Sequence, residues 1–265
     1  GNEGYKVSAF GMGCMRVPHV KDEHGNKIIQ REEAIKMIRY AADHGVTYFD
    51  SARMYFNGDC DALLGEALAG GYREKVKVVS KIPPRFVNSE EEFNNTLDDM
   101  LKKLQTDYLD VLLAHDMNRE AWDRFQQMGM YQWMEKAKQA GKIKAIGFSF
   151  HDDVDLFREM VDAYPWAMAQ IQMNILDVNY QATVEGMKYA ASKGLAIVIM
   201  EPLRGGGLAN APEPVQKIYD AYPVKRSPVE WALRFVYNFP EVSCILSGVS
   251  TMEQLKDNIR IFEED

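Results

Sequence analysis

The chain is predicted to fold as an α/β protein, a single (β/α)8 TIM barrel, and three observations carry that prediction. Eight short, near-continuously apolar runs recur along the sequence. Amphipathic stretches separate them. At 265 residues the chain is close to the ~250 that such barrels typically need. No Pro/Gly/Ser linker or shift in composition divides it, so residues 1–265 read as one domain.

The eight runs are VSAFGMG (7–13), VTYFD (46–50), VKVVSK (76–81), YLDVLLAH (108–115), IKAIGFS (143–149), AMAQIQM (167–173), LAIVIME (195–201) and VSCILSG (242–248). Parallel strands buried on both faces have this look. Between them, residues 31–44 carry Ala34, Ile35, Ile38, Ala41 and Ala42 at helical spacing, with Gly45 as C-cap. Ser89 caps a second helix, with Glu92 three residues on and a core stripe of Leu97, Leu101 and Leu104. Residues 119–140, 152–163, 180–193 and 252–262 read as further helices. Ser227 opens another, 227–237, with Pro228 in its first turn. Residues 204–227 are Gly/Pro-rich and read as a mobile loop over one face. A count of eight strands favours a closed barrel over an open doubly wound sheet. So does the lack of a Gly-x-Gly-x-x-Gly turn after the first run.

Composition narrows the function classes. The formal net charge of −8 argues against nucleic acid as a partner, because phosphate binding needs a clustered basic excess. No apolar run approaches the ~18–20 residues of a membrane span. Gly1-Asn2-Glu3-Gly4 has neither the basic nor the apolar region of a signal peptide. Cys14, Cys60 and Cys244 are odd in number and widely spaced, which suggests a reducing, cytoplasmic compartment and no metal site. Cys14 reads as a buried, inert thiol, and Cys60 falls near a helix start. His19, His24, His44 and His151 show no ligand spacing and read as surface or loop positions.

Chemistry in a barrel of this kind gathers at the C-terminal ends of the strands. There the sequence places Asp50, Lys81 and His115 on three successive runs, with Tyr55 in the loop after Asp50. A tyrosine delivers a proton near neutral pH if a neighbouring cation stabilises its phenolate. Lys81 supplies such a cation, Asp50 pairs with Lys81, and a neutral His115 aims a carbonyl oxygen at Tyr55. Taken singly, an acid or lysine at a strand end is more often a salt-bridge residue, and a histidine in an apolar run more often a core residue. Their conjunction is what points to catalysis.

The segments GVTYFDSARMY (45–55), LGEAL (64–68), VVSKIP (78–83), DYLDVLLAH (107–115), GKIKAIGFSFH (141–151), AQIQMN (169–174), VIMEPLRGGGL (198–208), SPVEWALRF (227–235) and ILSGVSTMEQLKDNI (245–259) resemble the aldo-keto reductase family over nearly the whole chain. GFSFH, IMEPLRGG and HDMN are most similar to its bacterial branch, whose members often carry an iron–sulfur C-terminal extension. The resemblance implies an α/β barrel and an Asp, Tyr, Lys, His tetrad matching Asp50, Tyr55, Lys81 and His115. It implies hydride transfer between NADPH, with NADH as the alternative, and an aldehyde, a ketone or the corresponding alcohol.

The resemblance also implies a cofactor site. Ser149 and Gln170 match the residues that bind the nicotinamide carboxamide, while Phe150 replaces the usual Asn. Met200 stands where the family stacks an aromatic ring, followed by Glu201 and Pro202. Leu203, Gly205 and Gly206 match the pyrophosphate loop. Gly248, Ser250, Gln254, Asp257 and Asn258 match the adenosine site. Gly13, Met15 and Arg16, at the end of the first strand, are added to the cofactor site from their position alone, with an anionic substrate or a structural salt bridge as the other readings of Arg16. Many members carry Lys and Arg where this chain has Gly248 and Gln254, and Lys225 and Arg226 are alternative cations for the 2′-phosphate. No cysteine follows Cys244, so no cluster is expected within the chain. Two other readings stand beside the enzyme: a cofactor-binding regulatory subunit, and a redox partner whose iron–sulfur module lies on a missing tail. Substrate identity and oligomeric state are not legible.

Overall fold

From the N-terminus the elements run β1 (Phe10–Gly13), β2 (His19–Lys21), β3 (Lys27–Ile29), α1 (Arg31–Asp43), β4 (Tyr48–Asp50), α2 (Asp59–Leu68), β5 (Lys77–Ile82) and α3 (Glu90–Lys103). They continue with β6 (Leu109–Met117), α4 (Arg119–Met128), α5 (Met130–Gln139), β7 (Ile143–Phe150), α6 (Val154–Ala163), β8 (Met168–Gln172) and α7 (Thr183–Ser192). The last are β9 (Ala196–Met200), α8 (Glu213–Ala221), α9 (Pro228–Tyr237), β10 (Val242–Ser247) and α10 (Met252–Glu263). The structure, a computed structural model, describes residues 4–263. Gly1, Asn2 and Glu3, on which the absence of a signal peptide was read, lie outside the described residues.

Each of the eight apolar runs forms a strand, and the strands close on one another in the order β1-β10-β9-β8-β7-β6-β5-β4. All pairings around the ring are parallel, and β4 returns to β1 with Asp50 beside Gly13. The expected (β/α)8 barrel is therefore the fold.

Two apolar layers hold it together. Tyr48, Val79, Val111, Leu113, Ala145, Met168, Val198, Cys244 and Leu246 pack as one cluster inside the ring. Their strand neighbours, among them Phe49, Val78, Leu112, Ile146, Ala169, Ile197 and Ile245, pack outward against the helices. Side chains on a strand alternate with period two. Counting two residues on from an inward residue therefore predicts what the barrel mouth receives. Tyr48 leads to Asp50, Val79 to Lys81, Leu113 to His115, Met168 to Gln170, and Val198 to Met200.

Three elements depart from the sequence expectation. The helix expected over 119–140 is two helices, because Gly129 takes a left-handed conformation (φ 68°) between α4 and α5. The apolar stripe hides this break: Trp122 and Phe125 before it, and Met130 and Met134 after it, are all buried. The expected loop over 204–227 contains α8, with Pro212 as its N-cap and Glu213 and Pro214 in its first turn. The segment after β1, given no structure from the sequence, is an antiparallel hairpin pairing His19 with Ile29.

Helix starts follow their capping chemistry. Ser89 Oγ accepts from the Glu92 amide (3.2 Å), and Ser227 Oγ accepts from the Glu230 amide (3.1 Å). Among the described residues no helix is long and apolar enough to cross a membrane.

Candidate active site

The alternation just described sets Asp50, Lys81 and His115 at the upper end of the barrel interior. Lys81 is fully buried and held by three oxygens. Its Nζ donates to Asp50 Oδ1 (2.6 Å), to the Ser51 carbonyl (2.7 Å) and to the Tyr55 hydroxyl (3.3 Å). Tyr55 begins a short turn whose next residues, Phe56 and Asn57, have positive φ (51° and 55°). The phenol ring lies against Lys81 of β5, with Nζ 4.8 Å from its centroid. It meets the His115 ring edge-on, with centroids 6.0 Å apart.

Behind Lys81 lies a second buried carboxylate. Asp61 Oδ1 accepts from Ser51 Oγ (2.6 Å) and Ser80 Oγ (3.1 Å), which fixes the segment whose carbonyl holds the lysine.

Electrostatics follow from this burial. Burial pulls Lys81 down, but Asp50 and Tyr55 outweigh it and hold the ammonium at about 12. Burial pushes the Asp50 carboxyl up while Lys81 draws it back, and the 2.6 Å contact is that of an ion pair. Burial also raises the Tyr55 phenol above its usual value, and the opposing pull of Lys81 does not overcome it. The expectation that Lys81 would leave this phenol easier to ionise is therefore corrected: desolvation wins. His115 is lowered well below its usual value, first by burial and then by Lys81, His151 and Arg85. Its Nδ1 has no hydrogen-bond partner among the described residues.

A depressed histidine affects stability on the acid side. The unfolded imidazole binds a proton near pH ~6.5 and the folded one does not. Stability from the neutral ring is present above that value and is lost as pH falls toward the folded pKa. The urea midpoint of the wild type is therefore expected to fall more steeply between about pH 7 and about pH 5 than that of His115→Gln. The extra slope is at most ~1.4 kcal/mol per pH unit. Parallel midpoints in the two proteins would contradict a buried neutral imidazole.

These residues open into a cavity of about 790 Å³. Asp50, Tyr55 and His115 line it, and Lys81 lies beneath its floor. Gly13, Met15 and Arg16 after β1, Ser149 on β7 and Gln170 on β8 line it as well. So do Met200, Glu201, Pro202, Leu203, Gly205 and Gly206 after β9, and Gly248, Ser250, Gln254, Asp257 and Asn258 after β10.

Several of these residues are preset. Asn258 Nδ2 donates to Ser247 Oγ (2.7 Å), and Gln254 Oε1 accepts from the Ser250 amide (2.9 Å). Ser250 Oγ donates to the Arg16 carbonyl (2.8 Å), and Asp257 is held by Arg260 (2.8 Å). Asn174 Nδ2 reaches the Glu201 carbonyl (3.3 Å) and braces the turn after β9. Phe150, in the family position for Asn, points away from the cavity and packs on Phe157 of α6.

Lys225 and Arg226 do not line the cavity. Lys225 donates to the Asp220 carbonyl, while Arg226 pairs with Glu230 and lies over the Trp231 ring.

Sequence reasoning missed Lys27, Phe56, Arg85, Asp116 and His151, all of which line the cavity. Lys27 arrives on the unexpected hairpin. His151 is the loop residue it is expected to be, but its loop after β7 brings it to the cavity. Asp116 follows His115 directly, so strict alternation would turn it outward. The pairing of β6 with β7 slips by one residue between Ala114 and Met117, and Asp116 has φ 60°. Such a bulge turns two consecutive side chains toward one face.

The aldo/keto reductase family model matches residues 10–265. L-galactose dehydrogenase from Arabidopsis thaliana is 25% identical over 286 residues, covering 100% of this chain and 87% of the relative. An aldo-keto reductase from Bacillus halodurans, in its holo form, has a TM-score of 0.81 at 23% identity, covering 97% of this chain and 87% of that one. An aldo-keto reductase from Klebsiella pneumoniae in complex with NADPH has a TM-score of 0.79 at 23% identity, covering 97% and 86%. With a match over almost its entire length and the same closed barrel, the chain belongs to the aldo/keto reductase family.

Proposed function

We propose that this protein is an NADPH-dependent oxidoreductase that interconverts aldehydes or ketones with alcohols, with Tyr55 as its proton donor and acceptor. The observation that carries the reading is the contact chain Asp50–Lys81–Tyr55 beside a neutral His115 on the floor of a large open cavity.

The residues around the cavity fit a dinucleotide. Gln170 Oε1 is buried without a partner, as a carboxamide-binding group should be before its ligand arrives. The Arg16 side chain packs where a Cβ on Gly248 would be (3.2 Å) and close to Gly205 (3.3 Å). Among the described residues its guanidinium has no acidic partner. In a chain of net charge −8, Arg16 is the cation placed between the pyrophosphate loop and the adenosine end. Ser149 and Gln170 would hold the nicotinamide, and Asp257 and Asn258 the adenine. The relative from Klebsiella pneumoniae is described in complex with NADPH, which supports the phosphorylated cofactor. When bound, the nicotinamide supplies or receives the hydride.

The chain's own part is to position a carbonyl oxygen and move one proton. His115, neutral with one N–H, orients that oxygen toward Tyr55. Tyr55 gives its phenolic proton to the oxygen as negative charge develops there. Lys81 then stabilises the phenolate at 3.3 Å. Asp50 keeps Lys81 charged and stationary.

Fluorescence titration with NADPH and NADH side by side tests the cofactor. NADPH is expected to bind more tightly, and Arg16→Gln is expected to narrow the difference. A protein that binds neither dinucleotide would end this reading.

A further inference from the structure

β5 carries Lys81 and ends at Ile82, and a single turn, Pro84–Phe86, follows it. The turn is pinned from outside. Arg124 of α4 donates to the carbonyls of Pro84 (3.0 Å) and Val87 (2.8 Å). Arg85 rises from this fixed turn into the same cavity as Tyr55 and His115.

The contacts of its guanidinium are uneven. Nη1 donates to Asp116 Oδ2 (2.8 Å), whereas Nη2 reaches the thioether of Met54 (3.5 Å), a weak acceptor. Met54 immediately precedes Tyr55, and Asp116 immediately follows His115. The guanidinium is therefore held between the residue that follows His115 and the residue that precedes Tyr55, in the cavity that both of these line. Its charge is among those that depress His115.

A guanidinium has five N–H donors in a rigid fork, which suits a planar carboxylate taken on one edge. Asp116 satisfies one edge and neutralises the charge while the cavity holds no anion. The edge toward Met54 has only the thioether sulfur as acceptor, and Met54 itself lines the cavity.

We propose that Arg85 is a specificity-determining residue that selects carbonyl substrates bearing a carboxylate, bound on the guanidinium edge that Asp116 leaves open. The bulge at His115 and Asp116 then has a purpose. It places the orienting imidazole and the arginine's counter-charge side by side. The inference rests on the reductase reading, because that reading puts the reacting carbonyl between Tyr55 and His115.

The test compares kcat/KM for 4-carboxybenzaldehyde and 4-nitrobenzaldehyde with NADPH, in the wild type, Arg85→Gln, Arg85→Lys and Asp116→Asn. The ratio of the carboxylated to the nitro substrate is expected to fall about 20-fold in Arg85→Gln, within the range for charge-assisted hydrogen bonds. It should be partly kept in Arg85→Lys and should rise in Asp116→Asn, where the guanidinium has no competing carboxylate. A ratio in Arg85→Gln within about twofold of the wild type would overturn the proposal.

Calorimetric binding of terephthalate and of its neutral diamide reads the same site without turnover. The wild type should favour the dianion about tenfold and Arg85→Gln should not. No such preference in the wild type also overturns the proposal. Preference for terephthalate with neither aldehyde reduced would uphold the carboxylate site and sink the reductase reading instead.

Discussion

Tyr55→Phe is expected to lower kcat for an activated aldehyde by ~10²–10⁴-fold, the usual contribution of a positioned general acid. NADPH affinity should be kept within about twofold, because among the described residues the hydroxyl's hydrogen-bonding partner is Lys81, beneath the cavity floor. The change removes a single oxygen from a half-buried ring, so the fold should persist. Stopped-flow turnover and cofactor titration on the same preparation separate these effects. The pH profile adds a second signature. Burial raises the phenol of the wild type, so Tyr55 keeps its proton through the neutral range. Carbonyl reduction should then vary little between about pH 6 and about pH 9, while alcohol oxidation, which needs the phenolate, climbs with pH. Turnover in Tyr55→Phe within tenfold of the wild type would remove Tyr55 from the reaction.

Lys81→Met is expected to be the most damaging single change to the fold. Methionine fills the volume but leaves the buried Asp50 carboxylate without its cation. Breaking a buried pair from one side costs about 3–5 kcal/mol. The sign of the pH dependence follows from Asp50. Without Lys81, burial is opposed only by the lesser pull of Gln170, and the carboxyl rises further in the folded state. A raised acid is favourable while protonated, and that contribution is lost as pH rises through its folded value. The deficit of Lys81→Met should therefore be smaller near pH 5 than near pH 8. In the wild type, Lys81 keeps its charge below its ordinary value of ~10.5. Its contribution disappears only as pH climbs through about 12. Urea midpoints at the two lower values make the comparison. The double variant Asp50→Asn/Lys81→Met should recover part of the stability and none of the activity. An equal deficit at both pH values would mean that the carboxylate is not what suffers.

The sequence made the framework legible because a parallel barrel writes its strands as unbroken apolar runs, and chain order alone then places their ends on one rim. Asp50, Lys81 and His115 stand out there as polar side chains closing such runs. Bulges and kinks were not legible, since they insert one residue without disturbing hydrophobicity. The slip after Ala114 brought Asp116 inward, and no pattern in LLAHDM announces it. Gly129 was likewise concealed by a stripe that keeps its phase across the break. Arg85 was passed over because a lone arginine after a proline pair looks like any solvated loop residue. Its meaning comes from Met54 and Asp116, far from it in the chain. The direction of the Tyr55 shift also needed the structure, because a neighbouring lysine is visible in sequence but depth is not.

The seam that shuts the barrel has a consequence for how the molecule is made. Phe10 lies opposite Ile245, so the first strand of the barrel to be synthesised waits for the barrel's last. Until then β1 and β9 each present an unsatisfied ladder, the kind of edge that other nascent chains can capture. Such distant pairing also makes closure slow compared with the local βα units. The residues proposed to move the proton, from Asp50 to His115, are translated before β10, whereas the rim proposed to grip the adenosine, from Gly248 to Asn258, follows it. A product stalled before β10 would thus carry Tyr55 and Lys81 without a finished ring around them. The docking of β10 between β1 and β9 is thus the event that satisfies both open edges at once.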